Sequence, residues 1–183
     1  LDFFRIFNDL SSAERYWRML ALAGALFGAY TALQWLRHPV ADALNLSRLL
    51  LAAGLSGSAV ALRYSAAARE HVNAVMVLPL ALVAGHLSLG LYALHMPADL
   101  SMAVLLFGAL IGAVLHSRRL LATHLGLWCL CTGTAAWLVS APQFSPAYYL
   151  MTLAVSSGLL WFTVAGRLEA RWRQEEQAAL MQA

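Results

Sequence analysis

The sequence predicts an all-α fold: a polytopic membrane bundle of six transmembrane helices, with an interfacial helix before it and a cytoplasmic signalling helix after it. Of the 183 residues, 61% are hydrophobic and 11% are charged, whereas soluble domains carry about 25% charged residues. A helix that crosses a bilayer needs roughly 20 mostly apolar residues. Long runs without Asp, Glu, Arg or Lys cover residues 19–36, 49–62, 72–94, 100–115 and 120–166.

Apolar faces and helix-start signals predict the positions of the helices along the chain. Apolar residues of segment 1–10 share one helical face, which predicts a short helix in the membrane interface within a first segment, 1–15. Ser11 and Glu14 have the spacing of a capping box and indicate a new helix start. Six spans are then expected in a transmembrane domain of residues 16–166, at about 16–36, 44–62, 72–94, 100–115, 120–139 and 148–165.

Prolines mark the interruptions between and within these spans. Pro79 lies inside the third span and predicts a kink. Residues 96–99 predict a tight turn, and Asp99 is expected to cap the fourth span. Ser145 and Pro146 are typical of a helix start, with serine as the cap and proline at the first helical position. This start divides the long apolar stretch 120–166 into two helices.

Arginine positions predict the orientation of the bundle. The chain has no lysine, and ten of its twelve arginines lie on the side of the termini and of the second–third and fourth–fifth connections. Only Arg37 and Arg48 lie on the other side. Cytoplasmic loops carry the excess of positive residues in membrane proteins. Both termini are therefore expected in the cytoplasm, and the outer connections are too short to hold a separate ligand-binding domain.

His86 is the one ionisable residue well inside a predicted span, and such residues are candidates for function. Three roles stay open for it: a neutral imidazole bonded to a neighbouring helix, a ligand or proton site, and a haem or metal ligand. Polar and aromatic residues of the outer half could line a pocket with it, or anchor the helices at the interface. The predicted ligand-binding set is His86, Tyr92, Gln34, Trp35, Trp137 and Tyr149.

The sequence contains no recognisable catalytic, phosphate-binding or metal-binding motif. We find no nucleophile–base pair, paired carboxylates, phosphate-binding glycine loop or metal cluster, and we predict no cofactor, no metal and no catalytic residue. Cys129 and Cys131 are expected to be buried free thiols. Nothing indicates nucleic-acid binding. Glycines spaced by four, Gly24 with Gly28 and Gly108 with Gly112, indicate close helix contacts within one chain or across a dimer seam.

The final segment, 167–183, reads RLEARWRQEEQAALMQA and is charged, yet no proline separates it from the sixth span. One helix from Tyr148 onward would be longer than a bilayer core of about 30 Å, so its end is expected to project into the cytoplasm. Alternating three- and four-residue spacing is typical of a two-stranded coiled coil. It links Ala165, Leu168, Trp172, Glu175, Ala179 and Gln182, with an amphipathic surface helix as the alternative.

This layout resembles the membrane input domains of bacterial signalling enzymes, which precede histidine kinases, diguanylate cyclases and class III adenylate cyclases. The resemblance lies in six spans, short outer loops, arginine-rich inner loops and a sixth span that runs into RLEARWRQEEQAALMQA. It implies a homodimeric receptor in the bacterial inner membrane that senses a small or lipophilic ligand. Residues such as Leu168, Trp172, Glu175 and Ala179 would form its signalling helix.

The resemblance also implies that this chain is no enzyme itself and that its longer parent carries a catalytic domain, a histidine kinase first and a cyclase next. The first residue is not Met, and the last residues continue a helical pattern, so a longer polypeptide is expected. The rival interpretation is the substrate-binding membrane subunit of a small-molecule transporter. Such a subunit has a similar size and also crosses the membrane six times.

Overall fold

The protein is all-α in the part that the structure, a computed structural model, describes, which comprises residues 12–37 and 43–182. The predicted interfacial helix 1–10 and the predicted cap Ser11 lie outside the described residues. Seven helices occur within these ranges: α1 Ser12–Arg37, α2 Ala43–Tyr64, α3 Ala66–Glu70, α4 Val72–Ala93, α5 Ala98–Val114, α6 Arg118–Leu138 and α7 Pro146–Gln182.

Six of these helices coincide with the six predicted spans, because the apolar runs are long and turn residues separate them. Ser145 acts at the start of α7 as predicted, and its Oγ accepts a hydrogen bond from the Tyr148 N–H at 3.4 Å. α4 continues as a helix through Pro79. α1 already includes residues 12–15, so the boundary expected at residue 15 falls inside a continuous helix.

One local prediction is wrong, and one short helix was not foreseen. Asp99 does not cap α5, because the helix begins at Ala98 and its N-cap is Pro97, which makes no side-chain cap hydrogen bond. Asp99 lies instead in the first turn, where a carboxylate is favourable near the positive end of the helix dipole. The connection between the second and third spans also holds the short helix α3, whose Ala68 N–H bonds to the Oγ of the N-cap Ser65 at 3.2 Å.

Four helices of the described part, α1, α2, α4 and α7, are long and apolar enough to cross a membrane. Their surfaces carry exposed large apolar side chains, such as Leu26 and Phe162. α5 is apolar but has only 17 residues, and α6 has 21 residues but is less apolar. These properties suggest a membrane protein, and six crossings stay a prediction.

The chain divides into two compact units between Leu89 and Gly90, near the end of α4. In the first unit, α1 and α2 pack closely at Gly24, where an added Cβ would collide with the Ser56 side chain and approach its backbone. Gly28, the second member of that pair, has open space around it. Only one glycine of the pair is therefore used for close contact in this unit.

The second unit packs α5, α6 and α7 around Trp128. Both glycines of the α5 pair serve this packing, since a Cβ on Gly108 would collide with the Trp128 ring and one on Gly112 with Leu160. The His124 ring bonds through Nε2 to the Gly108 carbonyl at 2.8 Å and lies beside Trp128, with ring centroids 5.3 Å apart. The spacing of four on α5 thus supports packing within one chain.

Candidate functional site

His86 lies on α4 where α1 and α2 approach it. Its Nδ1 is 2.8 Å from the Oγ of Ser47 on α2. The Phe27 ring of α1 meets the imidazole edge-on, with centroids 6.1 Å apart and an interplanar angle of 88°. The imidazole is therefore held by two neighbouring helices and is partly buried.

The hydrogen bonds of Ser47 indicate which group is the donor in the contact between Ser47 and His86. The Ser47 hydroxyl donates its single proton to the Leu44 carbonyl at 2.9 Å, so Ser47 Oγ must accept at its second short contact. His86 is then protonated on Nδ1 and donates from it to Ser47. In the neutral ring, Nε2 is left as a hydrogen-bond acceptor without a partner among the described residues.

Arg48 stands next to Ser47 on α2 and brings a positive charge close to His86. Its Nη1 donates to the Asn45 Oδ1 at 2.7 Å, and its guanidinium lies 5.3 Å from the centroid of the Tyr30 ring on α1. Among the described residues, no carboxylate forms an ion pair with Arg48.

These residues define the His86 cluster: Phe27, Tyr30, Asn45, Ser47, Arg48 and His86. Arg48 is five residues from the start of α2 and His86 seven from the end of α4, which corresponds to about 7–11 Å along the axes. A charge at such a depth in an apolar helix is costly and normally finds a partner. The cluster can therefore hold an anion at Arg48 and accept a hydrogen bond at Nε2.

The other predicted ligand-binding residues are distributed over both units. Gln34 and Trp35 belong to the first unit, but no hydrogen bond or ring contact joins either of them to His86 in the described part of the chain. Tyr92, Trp137 and Tyr149 belong to the second unit. Trp137 is 78% exposed, as an interface anchor would be, whereas Tyr149 is fully buried beside Thr132.

Sequence reasoning missed Phe27 and Ser47 as direct contacts of His86. It also missed Arg48, which is held by Asn45 and Tyr30. One signal was available: Arg48 is one of the two arginines on the arginine-poor side of the predicted bundle. If the second and third spans are antiparallel neighbours, the fifth residue of the second span and the ninth from the end of the third differ in depth by about 6 Å. That comparison would have paired Arg48 with His86.

Within the second unit, a cleft between α5, α6 and α7 is too small for an organic ligand. Its free volume is ≈ 10 Å³, about the space of one water molecule. Apart from two serines its lining is almost entirely apolar: Leu105, Gly108, Ala109, Leu125, Trp128, Leu153, Ser156, Ser157 and Leu160. We find no group of three metal-ligating side chains in the described ranges.

Hydrogen bonds join the turn after α4 to the connection before α7. We call the bonds of His95 to Ser140 and Gln143 the rim latch. The His95 carbonyl accepts from the Gln143 N–H at 2.9 Å, and the His95 Nδ1 lies 3.1 Å from the Ser140 carbonyl. A carbonyl can only accept, so the His95 ring donates there. His95, Met96 and Ala141 have φ angles of 56°, 52° and 53°, a region that non-glycine residues seldom adopt.

The far part of α7 is held by a second set of contacts, which we call the tail clamp. Arg118, at the start of α6, pairs with Glu169 at 2.8 Å, and Glu169 also pairs with Arg173 at 2.6 Å. Arg167 donates to the Ala113 carbonyl of α5 at 2.6 Å. Of the predicted signalling residues, Leu168 is partly buried and Trp172 is 64% exposed, and the side chains of Glu175 and Ala179 lie outside the described set.

Comparison of the chain with protein-family models, curated proteins and solved structures gives no match.

Proposed function

We propose that this chain is the membrane sensor domain of a bacterial signal-transduction protein. In this proposal six helices cross the inner membrane, both termini are cytoplasmic, and two copies form a homodimer. A small or lipophilic ligand acts in the outer half of the membrane. The signal leaves through α7 to a cytoplasmic catalytic domain, a histidine kinase first and a diguanylate or adenylate cyclase next.

One observation carries this proposal: α7 is a single helix of 37 residues. Its length is about 55 Å, whereas the hydrocarbon core of a bilayer is about 30 Å thick. The helix continues through Gly166 into the charged segment 167–182 without an interruption. A helix that leaves a membrane bundle in this way can pass a rotation or displacement to whatever follows it.

The chain also offers a route from the His86 cluster to α7. His86 lies on α4, and the end of α4 leads directly into the turn of the rim latch. The latch bonds that turn to residues 140 and 143, which precede α7. A shift of α4 caused by a ligand would therefore be transmitted to the start of α7 through hydrogen bonds rather than through a free loop.

The dimer is supported by the apolar residues that α7 exposes in its charged segment. Trp172, Leu180 and Met181 are 64%, 73% and 84% exposed. Leu168 and Trp172 belong to the predicted seam, where a second copy would cover them. A partner helix is the simplest cover for a seam of this spacing.

Cysteine cross-linking at Trp172 tests the proposal. In a Cys129→Ala, Cys131→Ala background, Trp172→Cys is expected to form a disulfide-linked dimer in native membranes under mild oxidation. The matched control is Ala170→Cys, because two residues along a helix lie about 200° apart around its axis. We expect at least about fivefold more dimer from position 172, since a disulfide requires Cα atoms within about 7 Å.

Equal yields at positions 170 and 172, or no dimer at either, would contradict the paired signalling helix. A chain that stays monomeric and moves a small molecule across the membrane together with a second protein would favour the transporter subunit instead. The coding sequence that follows Ala183 gives an independent check, because the proposal expects a kinase or cyclase domain there.

His86→Ala tests whether the cluster is the input. We expect normal membrane insertion but a cross-linking rate at position 172 that differs from the parent by about threefold or more, because a shift of about 0.7 kcal/mol suffices for that. The control is His71→Ala, since His71 is exposed and its ring bonds to the Ala67 carbonyl of the short helix α3. An unchanged rate in His86→Ala would remove the cluster from the signalling route.

A further inference from the structure

We infer that the His86 cluster binds the head group of a phosphate monoester that carries an alkyl chain. Arg48 would pair with a phosphate oxygen, and the phosphate hydroxyl would donate to the Nε2 of His86. The inference deepens the proposed function, on which it rests in taking this cluster as the input site. It adds the chemistry of the ligand.

Arg48 supplies the positive half of the site. A guanidinium has five N–H donors, and the described contacts of Arg48 are one hydrogen bond to Asn45 and the face of Tyr30. The remaining donors form a planar fork that fits two oxygens of one oxyanion. No described carboxylate pairs with Arg48, and an oxyanion bound at the remaining donors would balance its charge.

His86 decides which oxyanion fits best. Its Nδ1–H is committed to Ser47, so its neutral ring offers only an acceptor at Nε2. A bound group that brings a proton as well as a negative charge would match both the neutral ring and Arg48. A phosphate monoester loses its second proton near pH 6, so at neutral pH a part of it still holds one P–O–H. A carboxylate, with a pKa of about 4, and a phosphate diester have no such proton.

The position of the cluster within the apolar helices is the reason why we expect the ligand to carry an alkyl chain. Arg48 lies about 7 Å inside the start of α2, and three leucines near it on that helix are exposed. Leu46, Leu49 and Leu50 are 60%, 42% and 56% exposed. An anion that reaches this depth in a bilayer needs an apolar part, and these leucines provide a surface for it.

Binding of dodecyl phosphate to the purified 183-residue chain, in an uncharged maltoside detergent, tests the inference by titration calorimetry. Arg48→Gln is expected to weaken binding at least about tenfold, the loss typical of a charge-assisted pair. Arg48→Lys keeps the charge but loses the fork, so we expect an intermediate loss. The matched control is Arg63→Gln, because Arg63 lies on the same helix and contacts Trp17 and Tyr64 instead. Circular dichroism confirms that each variant is folded.

Three further ligands test which part of dodecyl phosphate is needed for binding: the alkyl chain, the phosphate or the P–O–H group. Inorganic phosphate lacks the chain, dodecanoate replaces the phosphate by a carboxylate, and didodecyl phosphate lacks the P–O–H. We expect each to bind more weakly than dodecyl phosphate. His86→Gln should weaken dodecyl phosphate severalfold and leave didodecyl phosphate unchanged, because only the monoester donates a proton to Nε2.

Several results would overturn the inference. Equal affinity of Arg48→Gln and the parent would exclude the cluster as the anion site. Equal binding of inorganic and dodecyl phosphate would exclude an amphiphile. Diester binding as tight as the monoester, with no effect of His86→Gln, would identify Arg48 as an anchor for ordinary bilayer phospholipid. Binding is measured without any output, so a failure here leaves the cross-linking test at Trp172 standing, and the reverse also holds.

Discussion

Gly108→Ala is expected to destabilise the second unit more than any other single-methyl change that we consider. The new Cβ would occupy the place of the Trp128 indole ring, which is only 2% exposed and lies against His124. A buried ring in a packed core cannot move aside cheaply, and overpacking of this kind costs about 1–3 kcal/mol. For a chain of this size that corresponds to a drop of about 2–12 °C in the unfolding midpoint.

The thermal unfolding of the purified protein in detergent measures this effect, with a thiol-reactive dye that reports a further increase in the exposure of Cys129 and Cys131. Both are free thiols, but they are partly exposed rather than buried as predicted. Gly126→Ala is the matched control. Gly126 lies in the middle of α6, and a Cβ there would meet nothing within 4 Å. It should therefore unfold at or above the parent temperature. If both variants unfolded at the same temperature, the packing of Trp128 against Gly108 would be wrong.

Gly166→Pro is expected to break the continuity of α7 and to abolish the coupling proposed for it. Proline at this position removes the hydrogen bond to the carbonyl of residue 162 and clashes with it, at a cost of about 3 kcal/mol or more. Spin labels at Leu159 and Gln177, both exposed, report the result. Their separation along an unbroken helix is about 27 Å, and the proline variant should give a shorter and broader distribution.

Gly166→Ala is the control for this experiment, because a Cβ at Gly166 would meet nothing within 4 Å and alanine favours a helix. It should keep the long, narrow distribution. The proline variant should also lose the difference between positions 172 and 170 in disulfide formation. An unchanged distance distribution in Gly166→Pro would show that the helix does not depend on residue 166.

Much of the fold could be predicted from the sequence because its signals are local. Ser145 and Pro146 indicated the start of α7, and the absence of proline beyond that point indicated one long helix. The cap of α5 was misplaced because a turn in which His95 and Met96 adopt a left-handed backbone places Pro97 directly before the helix. That conformation is unusual for these residue types, and composition does not reveal it.

The candidate site was less predictable, because its parts come from three helices. His86 was found as an isolated ionisable residue, but its relation to Ser47 and Arg48 depends on which helices are neighbours. The proton position on its ring depends on the bond from Ser47 to Leu44, which is a detail of side-chain geometry. The burial of the aromatic residues could not be predicted either. Trp137 is exposed and Tyr149 is a core residue, although both are aromatic residues near the predicted outer end of a span.

The rim latch has a consequence for flexibility at the start of α7. Three non-glycine residues, His95, Met96 and Ala141, keep left-handed backbone angles in two connections that are bonded to each other. Each such residue costs about 1 kcal/mol or more, which glycine would avoid. Non-glycine residues at these positions also make the connection stiffer than glycine would. We therefore expect a tilt of α4 near its end to be shared by the helix that begins at Pro146 rather than taken up within the connection.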